Sequence, residues 1–236
     1  EYYWDVNKQS AGVLKEIRQA FLNEDKEKAA QLTRNNFNGL AAYEEKDETP
    51  FRFGSFTTMG ELYVETGLNE LRMSNYRRIL SLDSAMVVVQ FDKDGVQYQR
   101  KYFISYPDSV MVMKFTANQS GKQNLILSYC PNSEAKSNLR ADGKDGLVYT
   151  GVLDNNGMKF AFRIKAIHKG GTLEAENDRL IVKGADEVVF LLTADTDYKM
   201  NFNPDFKDPK TYVGNDPEQT TRIMMDQAVQ KGYDEL

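Results

Sequence analysis

The sequence predicts a mainly β protein: a large antiparallel β-sandwich of the supersandwich type, with a helical insertion near the start and a helical linker at the end. Three observations carry this. From about Gly60 onward, apolar and polar side chains alternate with the period of two that sends neighbours to opposite faces of a sheet. The strand-like runs are joined by short turns, without the long crossovers that a parallel sheet needs. Several runs are apolar on both faces, as in strands covered by layers on both sides.

The first segment reads as helical. Val13, Leu14, Ile17, Ala20 and Phe21 fall on one apolar face, and Ser10 is the candidate N-cap. A second helix is expected from Asn23 to about Asn36. Its Glu24, Asp25 and Glu27 would sit at the positive end of the dipole, and Asn38-Gly39 would stop it. Residues 40–55 read as a loop, and their acidic cluster (Glu44, Glu45, Asp47, Glu48) as a solvated surface run.

About ten strands follow. Val96, Tyr98, Tyr102 and Ile104 form an inward row that Arg100 interrupts, with Gln97, Gln99, Lys101 and Phe103 outward. Phe160, Phe162, Ile164 and Ala166 form another, opposed to Lys159, Arg163 and Lys165. Ala85–Phe91, Val110–Phe115 and Val188–Leu192 are the runs expected to be buried on both sides. Asp92-Lys93-Asp94-Gly95 and Asp154-Asn155-Asn156-Gly157 read as hairpin turns. After Tyr198, three X-Pro steps mark a linker, and a last helix should start at Asp216 with Pro217 in its first turn. This divides the chain into a sandwich domain over 1–200, with helices at about 10–37, and a linker region over 201–236.

Composition narrows the function classes. A net charge of −5 gives no basic footprint for nucleic acid. The single Cys, Cys130, cannot form an internal disulfide, and the single His, His168, speaks against a His-rich metal site or a His-dependent triad. His168 itself reads as a strand-end imidazole satisfied locally, beside Lys169 and Gly170. No apolar run reaches the length needed to span a bilayer. The sequence begins Glu1-Tyr2-Tyr3-Trp4-Asp5 and ends at Leu236 in an amphipathic stretch, so a piece of a longer polypeptide is expected.

No convincing catalytic constellation emerges. Asp83, Asp108 and Asp186 fall near turns, where Asp serves the backbone. Asp92-x-Asp94-Gly95 is too short for a calcium loop, and no glycine-rich phosphate loop occurs. No cofactor and no metal are expected. One stretch, Phe51 to Gly60, is aromatic, polar and glycine-rich without a core period. Its Phe53, Phe56, Thr57 and Thr58 are the candidate substrate-facing residues; the plainer reading is a packed connection into the first strand.

An ordered set of motifs then points to a family. It comprises Gly60-Glu61-Leu62-Tyr63-Val64, Tyr76-Arg77-Arg78-Ile79-Leu80-Ser81-Leu82-Asp83, Asp94 through Phe103, and Ser105-Tyr106-Pro107-Asp108 before an apolar strand. Leu14-Lys15-Glu16-Ile17-Arg18, Gly184-Ala185-Asp186-Glu187 and Thr193 through Tyr198 extend it over nearly the whole chain. Together these resemble the amino-terminal domain of glycoside hydrolase family 95.

The resemblance implies a domain of an inverting α-L-fucosidase, or an α-L-galactosidase, whose catalytic residues lie in a separate helical barrel. No catalytic residue of that barrel maps onto this chain. It implies a fucosylated or related glycan as the ligand of the whole enzyme, the barrel as intramolecular partner, and a bacterial protein placed in the periplasm or secreted. Thr58-Met59-Gly60-Glu61-Leu62 departs from the family's usual Pro-Leu-Gly-Asp-Leu, and the usual opening strands are missing. An independent carbohydrate-binding module and a purely structural sandwich are the alternatives.

Overall fold

The computed structural model describes residues 10–37, 58–69, 71–131, 135–153, 157–176, 178–205, 208 and 210–236. Two compact units divide the chain, residues 1–56 and 57–236.

The first unit carries two helices, α1 (Leu14–Leu22) and α2 (Lys26–Phe37). Ile17, Ala20 and Ala29 are its buried side chains, while Phe21 of the expected apolar face stays exposed. Ser10 does not cap α1: it opens a 3-10 turn, Ser10–Val13, that feeds the helix directly. The second helix starts later than the charge pattern suggests. Asp25 is its cap, accepting the Lys28 N–H at 3.0 Å. The acidic run Glu44, Glu45, Asp47 and Glu48 and the stop at Asn38-Gly39 lie outside the described residues.

The second unit is the sandwich, with twelve strands among the described residues. They are β1 (Gly60–Glu65), β2 (Met73–Ser81), β3 (Met86–Lys93), β4 (Val96–Ser105), β5 (Val110–Ala117) and β6 (Gln123–Pro131). Then come β7 (Ala135–Ala141), β8 (Gly146–Leu153), β9 (Lys159–Lys169), β10 (Thr172–Glu176), β11 (Arg179–Ala185) and β12 (Glu187–Thr196). One sheet has the order β1-β6-β11-β10, the other β2-β3-β4-β5-β12-β9-β8-β7. Every described pairing is antiparallel.

Hairpins make this topology cheap. At the β3–β4 turn, Asp94 and Gly95 take φ of 50° and 76°, the left-handed pair a two-residue hairpin requires. The β8–β9 hairpin forms as well, although its Asp154, Asn155 and Asn156 lie outside the described residues.

The core fills the space between the sheets. Phe115, Leu125, Leu127, Tyr149, Phe160, Phe162, Ile164, Leu180 and Phe190 meet there. A third layer covers the opposite face of the large sheet. It is helix α3 (Pro217–Lys231), whose Met225 and Ala228 pack on Val110, Val112, Val189 and Leu191. This explains why β5 and β12 are apolar on both sides. Asp216 caps α3 by accepting the Glu218 N–H at 3.1 Å, with Pro217 in the first turn, as the sequence predicts.

The third layer also corrects the reading of β4. Phe103, expected outward, lies under α3 with its ring 5.9 Å from that of Tyr233. Ile104, expected inward, is 69% exposed, because the four-stranded sheet does not reach it. β3 is likewise buried deeply on one face only, through Val89 and Phe91, and Ala85 belongs to the preceding turn with φ 49°. Arg163, expected outward, is buried and pairs with Asp142.

Candidate functional site

Of the candidate loop residues, Phe53, Phe56 and Thr57 lie outside the described residues. Thr58 is described and exposed, immediately before β1. The next two residues are tied down. The Tyr129 hydroxyl donates to the Met59 carbonyl. Gly60 has φ of 150° and presses against the Tyr129 ring and the Cys130 carbonyl, so a Cβ there would collide with both. Tyr129 in turn touches Tyr149 and Phe162, at centroid distances of 4.8 and 4.9 Å. Tyr149 touches Phe160, which pairs with Thr196 at the end of β12. The chain of contacts places Thr58 at one end of the sandwich.

The same end carries two features that the sequence reading did not single out. One is an open groove of about 480 Å³, walled by β7, β8, β9 and the first turn of α3. Lys136, Asn138, Thr150, Lys159 and Glu218 give it a polar lining, and Arg140 holds Glu218 at 2.5 Å. The other is the excursion between β12 and α3. Lys199 N–H donates to the Tyr212 carbonyl at 2.7 Å, and the Asn201 amide reaches Thr211. Tyr198 and Tyr212 stack at 5.8 Å on this frame, with Tyr198 and Phe202 exposed. Asp197, whose carboxylate accepts the Lys159 N–H at 2.9 Å, joins the excursion to the groove's rim. Tyr198, Phe202 and Tyr212, in a segment with three X-Pro steps, were the available sequence signal.

Such surfaces offer hydroxyl-matching hydrogen bonds and aromatic faces, the chemistry of sugar binding. General acid catalysis is another matter, since it calls for a carboxyl held above its usual range. Among the described residues, Asp108 and Glu187 are both held below the usual carboxyl range. The Ser105 hydroxyl at 2.6 Å, then Lys231 at 2.9 Å, lower Asp108. Burial works against ionisation of Glu187, but Lys114 at 2.8 Å and Lys169 at 2.9 Å outweigh it. Both carboxylates fasten structure: Asp108 ties the β4–β5 turn to α3, and Glu187 gathers β5, β9 and β12.

Asp186 accepts the Gly121 N–H at 2.7 Å, and Asp83 sits in the β2–β3 turn. His168 Nδ1 lies 2.8 Å from the Gly170 carbonyl, the local arrangement expected for it. Burial, then Tyr149 and Cys130, push the Tyr129 hydroxyl up, in keeping with a structural phenol. Among the described residues no group of three or more His, Cys, Asp or Glu could hold a metal ion. No helix among them is long and apolar enough to cross a membrane.

Comparison with known proteins adds the family. Residues 3–201 match the family described as glycosyl hydrolase family 65, N-terminal domain. The chain belongs to this family. It is similar to the probable alpha-fucosidase A of Aspergillus niger, 27% identical over 200 residues, which cover 80% of this chain and 24% of that protein. It is also similar to alpha-L-fucosidase 2 of Arabidopsis thaliana, 23% identical over 167 residues, covering 61% of this chain and 20% of that protein. Among solved structures, a putative kojibiose phosphorylase from the human microbiome aligns with a TM-score of 0.48 and 10% identity. It covers 72% of this chain and 24% of that one. The chain thus spans about a quarter or less of the length of these relatives.

Proposed function

We propose that this glycosyl hydrolase N-terminal domain is the non-catalytic part of an inverting α-L-fucosidase of the family 95 type, acting on fucosylated glycans or α-L-galactosides. The observation that carries the reading is the pair of relatives named as α-fucosidases, matched over a quarter or less of their length. The lowered Asp108 and Glu187 agree with it, since each is committed to a lysine and neither is poised to protonate a leaving group. In this reading residues 201–236 lead from the sandwich toward a helical barrel. The Phe53–Gly60 loop, through Phe53, Phe56, Thr57 and Thr58, reaches that barrel's active-site rim. The enzyme acts in the periplasm or outside the cell.

The test is release of an aryl α-L-fucoside's chromophore. The 236-residue chain should show none, while a natural polypeptide that contains it should turn over. Turnover by the chain alone that disappears on substituting one of its own carboxylates would sink the proposal.

The groove and the stacked Tyr198–Tyr212 pair support a second reading, an independent carbohydrate-binding module. Calorimetry with fucosylated oligosaccharides separates the two. Saturable binding by the chain that Tyr198→Ala abolishes favours the module; no heat at millimolar sugar favours the supporting domain.

A further inference from the structure

Strands β2, β3 and β4 extend the large sheet to an open edge. Part of their inner face is covered: Leu68 and Met73 pack over Val89, Phe91, Val96 and Tyr98. The rest is bare. Leu80 is 65% exposed and Ile104 69% exposed, and the adjoining turns add Leu82 at 83% and Tyr106 at 92%. Register shows that these belong together. Leu80 lies opposite Val87, which lies opposite Tyr102, and Ile104 is two residues beyond Tyr102 on the same face. A contiguous exposed apolar patch marks an interaction surface.

One cation shares this face: Arg78 lies on the same side of β2 as Leu80 and has no ion-pair partner among the described residues. Tyr and Arg are enriched at the centres of protein interfaces, and the exposed Leu and Ile add apolar area around them. The end of α3 is fastened to the same region, through Lys231 on Asp108 and Tyr233 on Phe103. Leu236 packs beside them. The related fucosidases hold more than three quarters of their length outside the part matched here.

We propose that the bare face of β2–β4, centred on Leu80, Leu82, Ile104 and Tyr106, seats the larger remaining part of a fucosidase-length polypeptide. The seated surface is apolar, with a carboxylate placed to meet Arg78. This rests on the function proposed above and names the surface by which the domain does its supporting work.

Hydrogen exchange followed by mass spectrometry tests it, on the 236-residue chain and on a natural polypeptide that contains it. In the longer protein, peptides covering 76–82 and 103–108 should exchange at least about tenfold more slowly than in the chain alone. The double substitution Leu80→Asp, Ile104→Asp should return them to the rate of the chain. Both side chains are exposed, so the variant chain should keep the wild-type circular dichroism. Equal exchange in the two proteins overturns the proposal. So does a chain that sediments as a dimer which the double variant converts to monomer, since a second copy would then be the occupant. A fucoside assay on the same longer protein keeps the two ideas apart. Protection without turnover fails the functional reading alone; turnover without protection fails the interface alone.

Discussion

The two halves of the eight-stranded sheet are built from the same kinds of strand and have opposite fates. β5, β12 and β9 lie between two layers, the small sheet on one face and α3 on the other. β2 and the outer parts of β3 and β4 have cover over only part of one face. Leu191 and Leu80 are chemically the same residue; one is 1% exposed and the other 65%. Coverage by neighbouring layers, which composition does not encode, decides the difference. Where a strand keeps its apolar row without a layer over it, the row is there for something else to cover.

The largest expected effect lies in the covered half. Phe190 is fully buried and meets Phe115 edge to face at 5.8 Å. Phe190→Ala removes the ring from a closed layer and should cost about 3–5 kcal/mol, as large-to-small changes in packed cores do. Urea unfolding followed by circular dichroism measures it. A loss under about 1 kcal/mol would mean that the sheets close over the gap, and would blur the contrast between the halves.

Much of the fold was legible because it is local. The strands themselves, the Asp94-Gly95 turn and the Asp216-Pro217 helix start each depend on a few adjacent residues, and each appears as read. The exceptions trace to where the layers begin and end, which distant segments decide. Helix α3, more than a hundred residues downstream, covers Phe103, and the small sheet stops short of Ile104; no window around those residues contains either layer. The site was less legible for the same reason. The groove draws on β7, β8, β9 and α3, four segments that only the folded chain brings together. Of the sequence's own candidates only Thr58 falls among the described residues, exposed ahead of β1; Phe53, Phe56 and Thr57 lie outside them.

A smaller effect concerns the joint between the halves, where Lys231 of α3 meets Asp108 of the β4–β5 turn. Ser105 and Lys231 hold Asp108 below its ordinary value of 3.8, and Glu187 sits below its ordinary 4.5. A carboxyl whose pKa is lowered by folding adds stability above its unfolded value. That stability fades as pH falls through the lowered, folded value. The chain should therefore lose stability below about pH 4, where carboxylates begin to protonate. Lys231→Ala should be less stable than the wild type at pH 7, and the gap should narrow as Asp108 is neutralised. Paired urea titrations at pH 7 and below pH 3 read both. A gap that stays constant with pH would assign the Lys231 effect to its aliphatic stem packing on the sheet.

The smallest expected effect is the sharpest test of the contrast, because it uses one row of the sheet. Ile104 lies opposite Met111, and Met111 lies opposite Leu192. Leu192 packs against the core, whereas Ile104 is open to solvent. Leu192→Ser should cost about 1–3 kcal/mol, since it removes apolar contact and leaves a hydroxyl near the core. Ile104→Ser, two strands away, should change stability by no more than about 0.5 kcal/mol in the isolated chain. Equal losses at the two positions would show that Ile104 is already covered by this chain itself, and the division of the sheet into a sealed half and an open half would fall.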